Sequence, residues 1–443
     1  MHFAAQIDAT TRLRLNGRPM KPPLSVARTP LTRRAFGLLL GGSCAATLCH
    51  RRASAQHAAV DLPFPKMSRG VSLHHLLNWP DTKPGGGNTE YVWPPFETAN
   101  YKISDDELTR LKAMGFDFLR ITADPSIFLA VDKTRLEYLT KLVRQTVSRL
   151  LHAGFKVIFD LHPVAVNPDY EPLKLVERLD SPALRAYGQL VEHMARALHD
   201  LPHDQFAFEL MNEPWLDSPA EIARWQPMME FLHTRARAGS PTLPLVITGA
   251  QWSSPRALMQ LDLKAFRGSN VLYTIHYYDP HTFTHQGVAG DEGEYLSGLQ
   301  WPANHDNILQ VQAAAFARIE ATKKPPAVIR QLKEVTRKLL ADYELSAHSP
   351  ERLHADFAAV AKWAAKENIP AQRIFLGEFG CVASAHEVPL GEDRVRWLRA
   401  IRDAAQECGF AWALWAYKGS GMALLGDHGV IDKPTAKALG LPL

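Results

Sequence analysis

Three glycines set the first constraint on this chain. Gly115, Gly154 and Gly409 each stand just past a segment of helical period and directly before a short apolar run. A glycine in that place ends a helix through a left-handed turn, so the chain reads as a repeated unit of helix, glycine, strand. Candidate strands fall at 69–73, 116–122, 156–161, 206–211, 245–249, 271–276, 374–377 and 412–415. Candidate helices fall at 105–114, 136–153, 182–201, 220–238, 350–367 and 392–408, with a shorter one at 255–263. Within 136–153, Leu136, Leu139, Leu142, Val143, Val147, Leu150 and Leu151 recur at spacings of three and four, one apolar stripe to lay on a sheet.

Helices alternating with strands imply a parallel sheet, and eight such units closing on themselves make an α/β (β/α)8 TIM barrel. No Gly/Ser-rich or Pro-rich linker splits the chain, so residues 56–443 are expected to form a single domain. One connection departs from the repeat. Between the sixth and seventh strands lie 97 residues, where a helix and two loops need about 30. The excess reads as an insertion at about 288–347, with a basic helical stretch at 327–343, expected near the barrel mouth as a wall or lid.

Charge is unevenly placed. The 443 residues carry 50 Lys+Arg against 46 Asp+Glu, yet residues 1–55 alone hold nine basic residues and a single acid, Asp8. In that segment Thr32-Arg33-Arg34-Ala35-Phe36 leads into an apolar stretch and then Ala53-Ser54-Ala55, a small-x-small cleavage pattern. It resembles a twin-arginine export signal, which implies the twin-arginine export machinery as a partner and a periplasmic or extracellular destination. The apolar stretch is short of the roughly 20 residues a membrane span needs, so no membrane attachment is expected after cleavage. Without the leader, 41 basic residues face 45 acidic ones, which removes the argument for a nucleic-acid partner.

Active groups of such a barrel project from the C-terminal ends of its strands. Arg120 closes the second strand, His162 the third, Asn212-Glu213-Pro214 the fourth, His276 and Tyr278 the sixth, Glu378 the seventh and Trp415 the eighth. Glu213 and Glu378 each follow a strongly apolar strand, where a carboxylate is costly unless paired or used. Two at the same end of one barrel suggest a pair flanking a glycosidic bond. A lone strand-end histidine is more often structural, and His162 and His276 are expected either to hold substrate hydroxyls or to orient the carboxylates.

The motifs Arg69-Gly70-Val71-Ser72-Leu73, Gly115-Phe116-Asp117-Phe118-Leu119-Arg120, Asp160-Leu161-His162, Asn212-Glu213-Pro214 and Gly377-Glu378-Phe379-Gly380 occur in this order, each on its expected strand. Together they resemble the retaining glycoside hydrolases of family 5. That resemblance implies Glu213 as general acid/base and Glu378 as nucleophile, with Arg120 and Tyr278 keeping Glu378 ionised. It also implies Asn212 on the sugar 2-hydroxyl and Trp415 as the platform under the reacting sugar. The implied substrate is a β-linked polysaccharide, foremost a β-1,4-glucan, cleaved by double displacement without a cofactor. A β-mannanase or exo-β-glucosidase of the same fold stays open. So does a non-catalytic carbohydrate-binding barrel, which the two glutamates argue against.

Metal catalysis is not expected. The first strand ends without His-x-His, and no helix carries His-Glu-x-x-His. Sugar faces stack on aromatic rings, so Trp79, Trp93, Trp215, Trp252 and Trp301 in predicted loops are candidates for further subsites, while Trp363 and Trp397 lie in helices. Cys381 follows the seventh strand and Cys408 ends the next helix, about 24 Å away, so both are expected to stay free. A monomer is expected.

Overall fold

In the computed structural model, which describes residues 62–442 apart from 86, 88, 305, 427 and 428, the eight expected strands form one closed parallel barrel. They are β1 (Arg69–Ser72), β2 (Phe118–Ala123), β3 (Lys156–Leu161), β4 (Phe206–Glu209), β5 (Leu245–Thr248), β6 (Val271–His276), β7 (Ile374–Phe379) and β8 (Ala411–Leu414). β1 pairs with both β2 and β8, which closes the ring. The export leader read at 1–55 lies outside the described residues.

The main helices are α1 (Asp105–Ala113), α2 (Lys133–His152), α3 (Pro182–Ala197), α4 (Pro219–Gly239), α5 (Ile308–Ala321), α6 (Pro326–Ser346), α7 (Pro350–Lys366) and α8 (Gly391–Glu407). Five of their starts are fixed by side-chain caps. Ser104, Asp132, Ser181, Ser218 and Ser349 each accept a hydrogen bond from the backbone N–H three residues on. Asp132 moves the start of α2 three residues ahead of the expected 136. Gly115, Gly154 and Gly409 all have positive φ, as helix-ending glycines before β2, β3 and β8.

Alternation along the strands sorts side chains into two cores. Phe118, Ile158, Ala207, Val246, Leu272, Phe375, Ala411 and Ala413 fill the barrel interior, with Phe64 and Met67 packed against them. Residues of opposite parity, such as Leu119, Phe159, Phe208 and Leu376, join the larger cluster with the helices. Above the inner cluster the inward positions turn polar, with Arg120, Asp160, Glu209 and His276, and there the site begins.

Between β6 and β7 the chain forms α5 and α6, which pack on each other, and then α7. The helical stretch read at 327–343 is α6; α5 was not anticipated. α6 packs on the short helix His281–Thr284 and sends Leu339 into the cleft at the barrel mouth. Both cysteines are free, Cys381 buried and Cys408 partly so.

Candidate active site

Arg120 organises the floor of the mouth. Its guanidinium is fully buried and faces three carboxylates: Nε and Nη2 donate to Glu209 at 2.8 and 2.9 Å, Nη2 lies 2.9 Å from Asp160, and Nη1 donates to Glu378 at 2.5 Å. One cation cannot balance three buried carboxylates, so some of that charge must be given up. Burial accordingly pushes Asp160 up to about 7 against the pull of Arg120, and raises Glu209 as well.

Asn212 continues the network with a determined orientation. Arg120 Nη2 can only donate, so the atom it meets at 2.9 Å must be the amide oxygen of Asn212. The amide nitrogen then donates to His162 Nε2 at 3.3 Å, which places the imidazole proton on Nδ1, donating to Asp160 at 2.8 Å. Burial lowers His162 to about 3 and keeps it neutral, as this arrangement requires.

Glu378 is 3% exposed and takes a second donor, Tyr278 Oη, at 3.0 Å. Strand alternation alone would aim it elsewhere. Phe375 points into the barrel, so Gly377 should follow it inward and Glu378 should face the helices. The register shows why this fails. Ile275 pairs with Leu376 but His276 with Glu378, and on the other edge Trp412 pairs with Leu376 but Leu414 with Phe379. The extra residue is a bulge at Gly377 that turns Glu378 toward the mouth. A Cβ on Gly377 would lie 2.3 Å from Thr274 Oγ1 and 3.0 Å from His276 Nε2, so only glycine fits there.

Glu213 lies just beyond β4 with φ of 37°, a left-handed backbone that swings its side chain over the cleft at 20% exposure. Its Oε1 is 2.8 Å from His276 Nδ1. Burial lowers His276 to about 4, so the ring is neutral and can donate to a carboxylate or accept from a carboxylic acid, according to its tautomer. One oxygen of Glu213, one of Glu378 and a nitrogen of His276 lie within 4.8 Å of one another. Among the described residues this trio is also the set that could approach a metal ion, but a cation there would compete with Arg120 for Glu378.

The cleft above has a volume of about 610 Å³ and is lined by the two glutamates, His162, His276, Tyr278 and Trp415, with Asp217, Gln251, Trp252, His281, His285, Glu292 and Leu339 further out. Trp415 stacks on His162 at 5.4 Å and on His74 at 4.8 Å. Trp252 follows β5 within three consecutive left-handed residues, and its backbone N–H donates to Pro214 O at 3.3 Å, tying its loop to that of Glu213. Trp79 packs on His74 and His162.

Of the five loop tryptophans expected in subsites, Trp252 alone lines the cleft. Trp301 is buried within the insertion, and Trp93 packs outside the cleft on Tyr138 and Arg135. Trp215 does not line the cleft either. Of the residues sequence reasoning missed, Glu209 gave the clearest signal, since an acid two residues beyond Ala207 on an inward face needs a buried cation. His74 gave none, because its ring is defined by Trp415 from the far end of the chain.

A closed (β/α)8 barrel with two facing glutamates and an aromatic floor at its C-terminal end defines the glycoside hydrolase class of barrel. The chain belongs to the cellulase family, glycosyl hydrolase family 5, whose model matches residues 84–421. It is 22% identical over 354 residues to Endoglucanase 3 of Fibrobacter succinogenes, covering 77% of this chain and 50% of the relative. To Endoglucanase H of Acetivibrio thermocellus it is 25% identical over 369 residues, 82% of this chain and 31% of the relative. The chain therefore spans half or less of the length of these two relatives. Thermotoga maritima Cel5A in complex with cellobiose shares the fold, with a TM-score of 0.59 at 20% identity, covering 84% of this chain and 97% of that one.

Proposed function

We propose that this protein is an exported endo-β-1,4-glucanase that works by double displacement, with Glu378 as nucleophile and Glu213 as general acid/base. The observation that carries the mechanism is the approach of the two carboxylates to within 4.8 Å, short of the roughly 6.5–9.5 Å that leaves room for an attacking water beside the sugar and suited to direct attack. Arg120 and Tyr278 each donate to Glu378, which stabilises the carboxylate that must attack the anomeric carbon. Glu213 protonates the departing oxygen, with His276 holding its Oε1. When Glu378 is esterified its charge is gone, and Glu213, now a carboxylate, takes a proton from the incoming water. His276 serves both stages because a neutral imidazole can either accept or donate.

Trp415 supplies the flat apolar surface on which a pyranose face rests, and Asn212 lies beside both Arg120 and Glu213 to meet the 2-hydroxyl. Family membership and the endoglucanase names of the relatives support a β-1,4-glucan as substrate. The cleft of about 610 Å³ has α6 as part of its wall through Leu339. A twin-arginine leader at 1–55 would deliver residues 56–443 to the periplasm or beyond, and among the described residues no helix is long and apolar enough to cross a membrane.

The test is to incubate the purified protein with soluble β-1,4-glucans, mixed-linkage β-glucans and β-mannans and to read product lengths. Internal cleavage of β-1,4-glucan is expected. Release of single glucose units, or preference for mannan, would overturn the substrate assignment. Undiminished hydrolysis by Glu378→Ala would overturn the nucleophile.

A further inference from the structure

The residue beside Tyr278 is held by a second network that reaches the insertion. Tyr277 is 2% exposed and points away from the cleft. Its hydroxyl lies 3.0 Å from His348 Nε2 and 2.8 Å from Asp356 Oδ2 on α7. His348, also buried, meets Trp301 Nε1 through its Nδ1 at 3.1 Å. An indole N–H only donates, so Nδ1 of His348 must accept and the imidazole proton must sit on Nε2. That proton goes to Tyr277 Oη, and the phenol proton then goes to Asp356. Burial lowers His348 to about 4, so the ring stays in this neutral form over the ordinary pH range.

The result is a one-way chain of donors, Trp301 to His348 to Tyr277 to Asp356, with no reversible member. The segments that carry its first two residues are tied again through the backbone, since Ala303 N–H donates to His348 O at 3.0 Å. Arg396 Nε fixes Trp301 O from α8 at 3.2 Å.

Tyr277 has a second attachment, to the site. Its backbone N–H donates to the backbone carbonyl of Glu378 at 3.0 Å, and it shares a peptide unit with Tyr278, whose hydroxyl meets Glu378 Oε2. Where the Tyr277 ring is held therefore sets where the next side chain can reach.

We propose that His348 and Tyr277 are positioning residues, through which the 288–347 insertion sets the reach of Tyr278 onto Glu378. The inference rests on the reading of Glu378 as the reacting carboxylate. It gives the insertion a task besides walling the cleft: removing the anchor lets Tyr278 drift from the carboxylate it stabilises.

The decisive variant is Tyr277→Phe, which deletes one hydroxyl and keeps the packed ring. On a soluble β-1,4-glucan its kcat should fall about tenfold, as a small misplacement at a reacting centre does, while KM stays within about twofold. In a Tyr278→Phe background the same change should cost less than about twofold, because the group it acts through is already gone. His348→Gln, which keeps one acceptor and one donor, should retain most of the kcat that His348→Leu loses. A lowered unfolding midpoint with kcat unchanged in Tyr277→Phe would overturn the proposal, as would losses that multiply in the double variant. A crystal structure of Tyr277→Phe decides the point without any substrate. Separation of Tyr278 Oη from Glu378 beyond hydrogen-bond reach is expected, and an unmoved contact refutes the relay. If the wild type cleaves no β-glucan, the activity assignment fails while this structural test still stands.

Discussion

An oxygen of Glu213 comes within 4.8 Å of an oxygen of Glu378, although 165 positions separate the two residues in the chain. Barrels that retain anomeric configuration hold their carboxyl groups about 5 to 5.5 Å apart, and inverting ones about 6.5 to 9.5 Å. The first sugar released should keep the β configuration, which NMR of early products reads directly; an α anomer would refute double displacement. Glu213→Ala should lower kcat by about 10²- to 10⁴-fold, the usual share of a general acid, and least for substrates with good leaving groups.

Gly377→Ala should harm both stability and turnover. Its Cβ would sit 2.3 Å from Thr274 Oγ1, an overlap of the kind that costs about 1–3 kcal/mol in a packed core. Relief requires the bulge to shift, and Glu378 moves with it. Thr274→Ala in the same chain removes the obstructing oxygen and should restore part of both losses. Denaturant unfolding and kcat on the two variants and wild type check this, and a Gly377→Ala protein indistinguishable from wild type would sink the argument.

Trp415→Ala should lower kcat/KM by about thirtyfold, corresponding to loss of roughly 2 kcal/mol of apolar contact with a sugar face. Trp93→Ala is the control, because Trp93 packs on Tyr138 and Arg135 away from the cleft. Its kcat/KM should stay near that of wild type. Equal losses in both variants would mean that Trp415 acts on stability alone.

Acid should unfold this protein early. Burial holds His276, His233 and His348 at about 4 and His74 and His162 at about 3, against 6.5 when unfolded. Below pH 6.5 the unfolded chain binds protons that the folded chain refuses until about pH 4 or lower, so stability is present above 6.5 and is lost as pH falls through that window. Asp124 and Asp160, raised to about 7 from 3.8, work in the opposite direction. Burial also depresses His75 and His193 and raises Glu209 and Asp279, so seven imidazoles outnumber four acids, and the denaturation midpoint should decrease as pH falls from 6.5 to 4. A flat or rising midpoint over that range would contradict the burial of these imidazoles.

Much of the fold was written in local pattern. Helix-ending glycines, serine caps and apolar runs are contacts within a few residues, so the eight strands and most helix starts could be located from the chain alone. Strand-end position also drew Arg120, His162, Asn212, Glu213, His276, Tyr278, Glu378 and Trp415 to one end of the barrel, and the structure gathers them there, six lining the cleft with Arg120 and Asn212 in the network beneath it. Trp93 and Trp301 went astray because a loop tryptophan looks the same whether it faces a cleft or a core.

By itself, then, the sequence determined which residues could reach the barrel mouth and what chemistry a pair of glutamates there would serve. Tertiary structure decided how they are aimed. The bulge at Gly377 exists only in the register of β7 against both neighbours, and it reverses the face that strand alternation assigns to Glu378. The proton positions on His162 and His348 follow from donors that lie 50 and 47 residues away, Asn212 and Trp301. A single chain pattern records spacing along the backbone, whereas the direction of a carboxylate and the tautomer of a buried ring are set by partners that only folding brings within 3 Å or so.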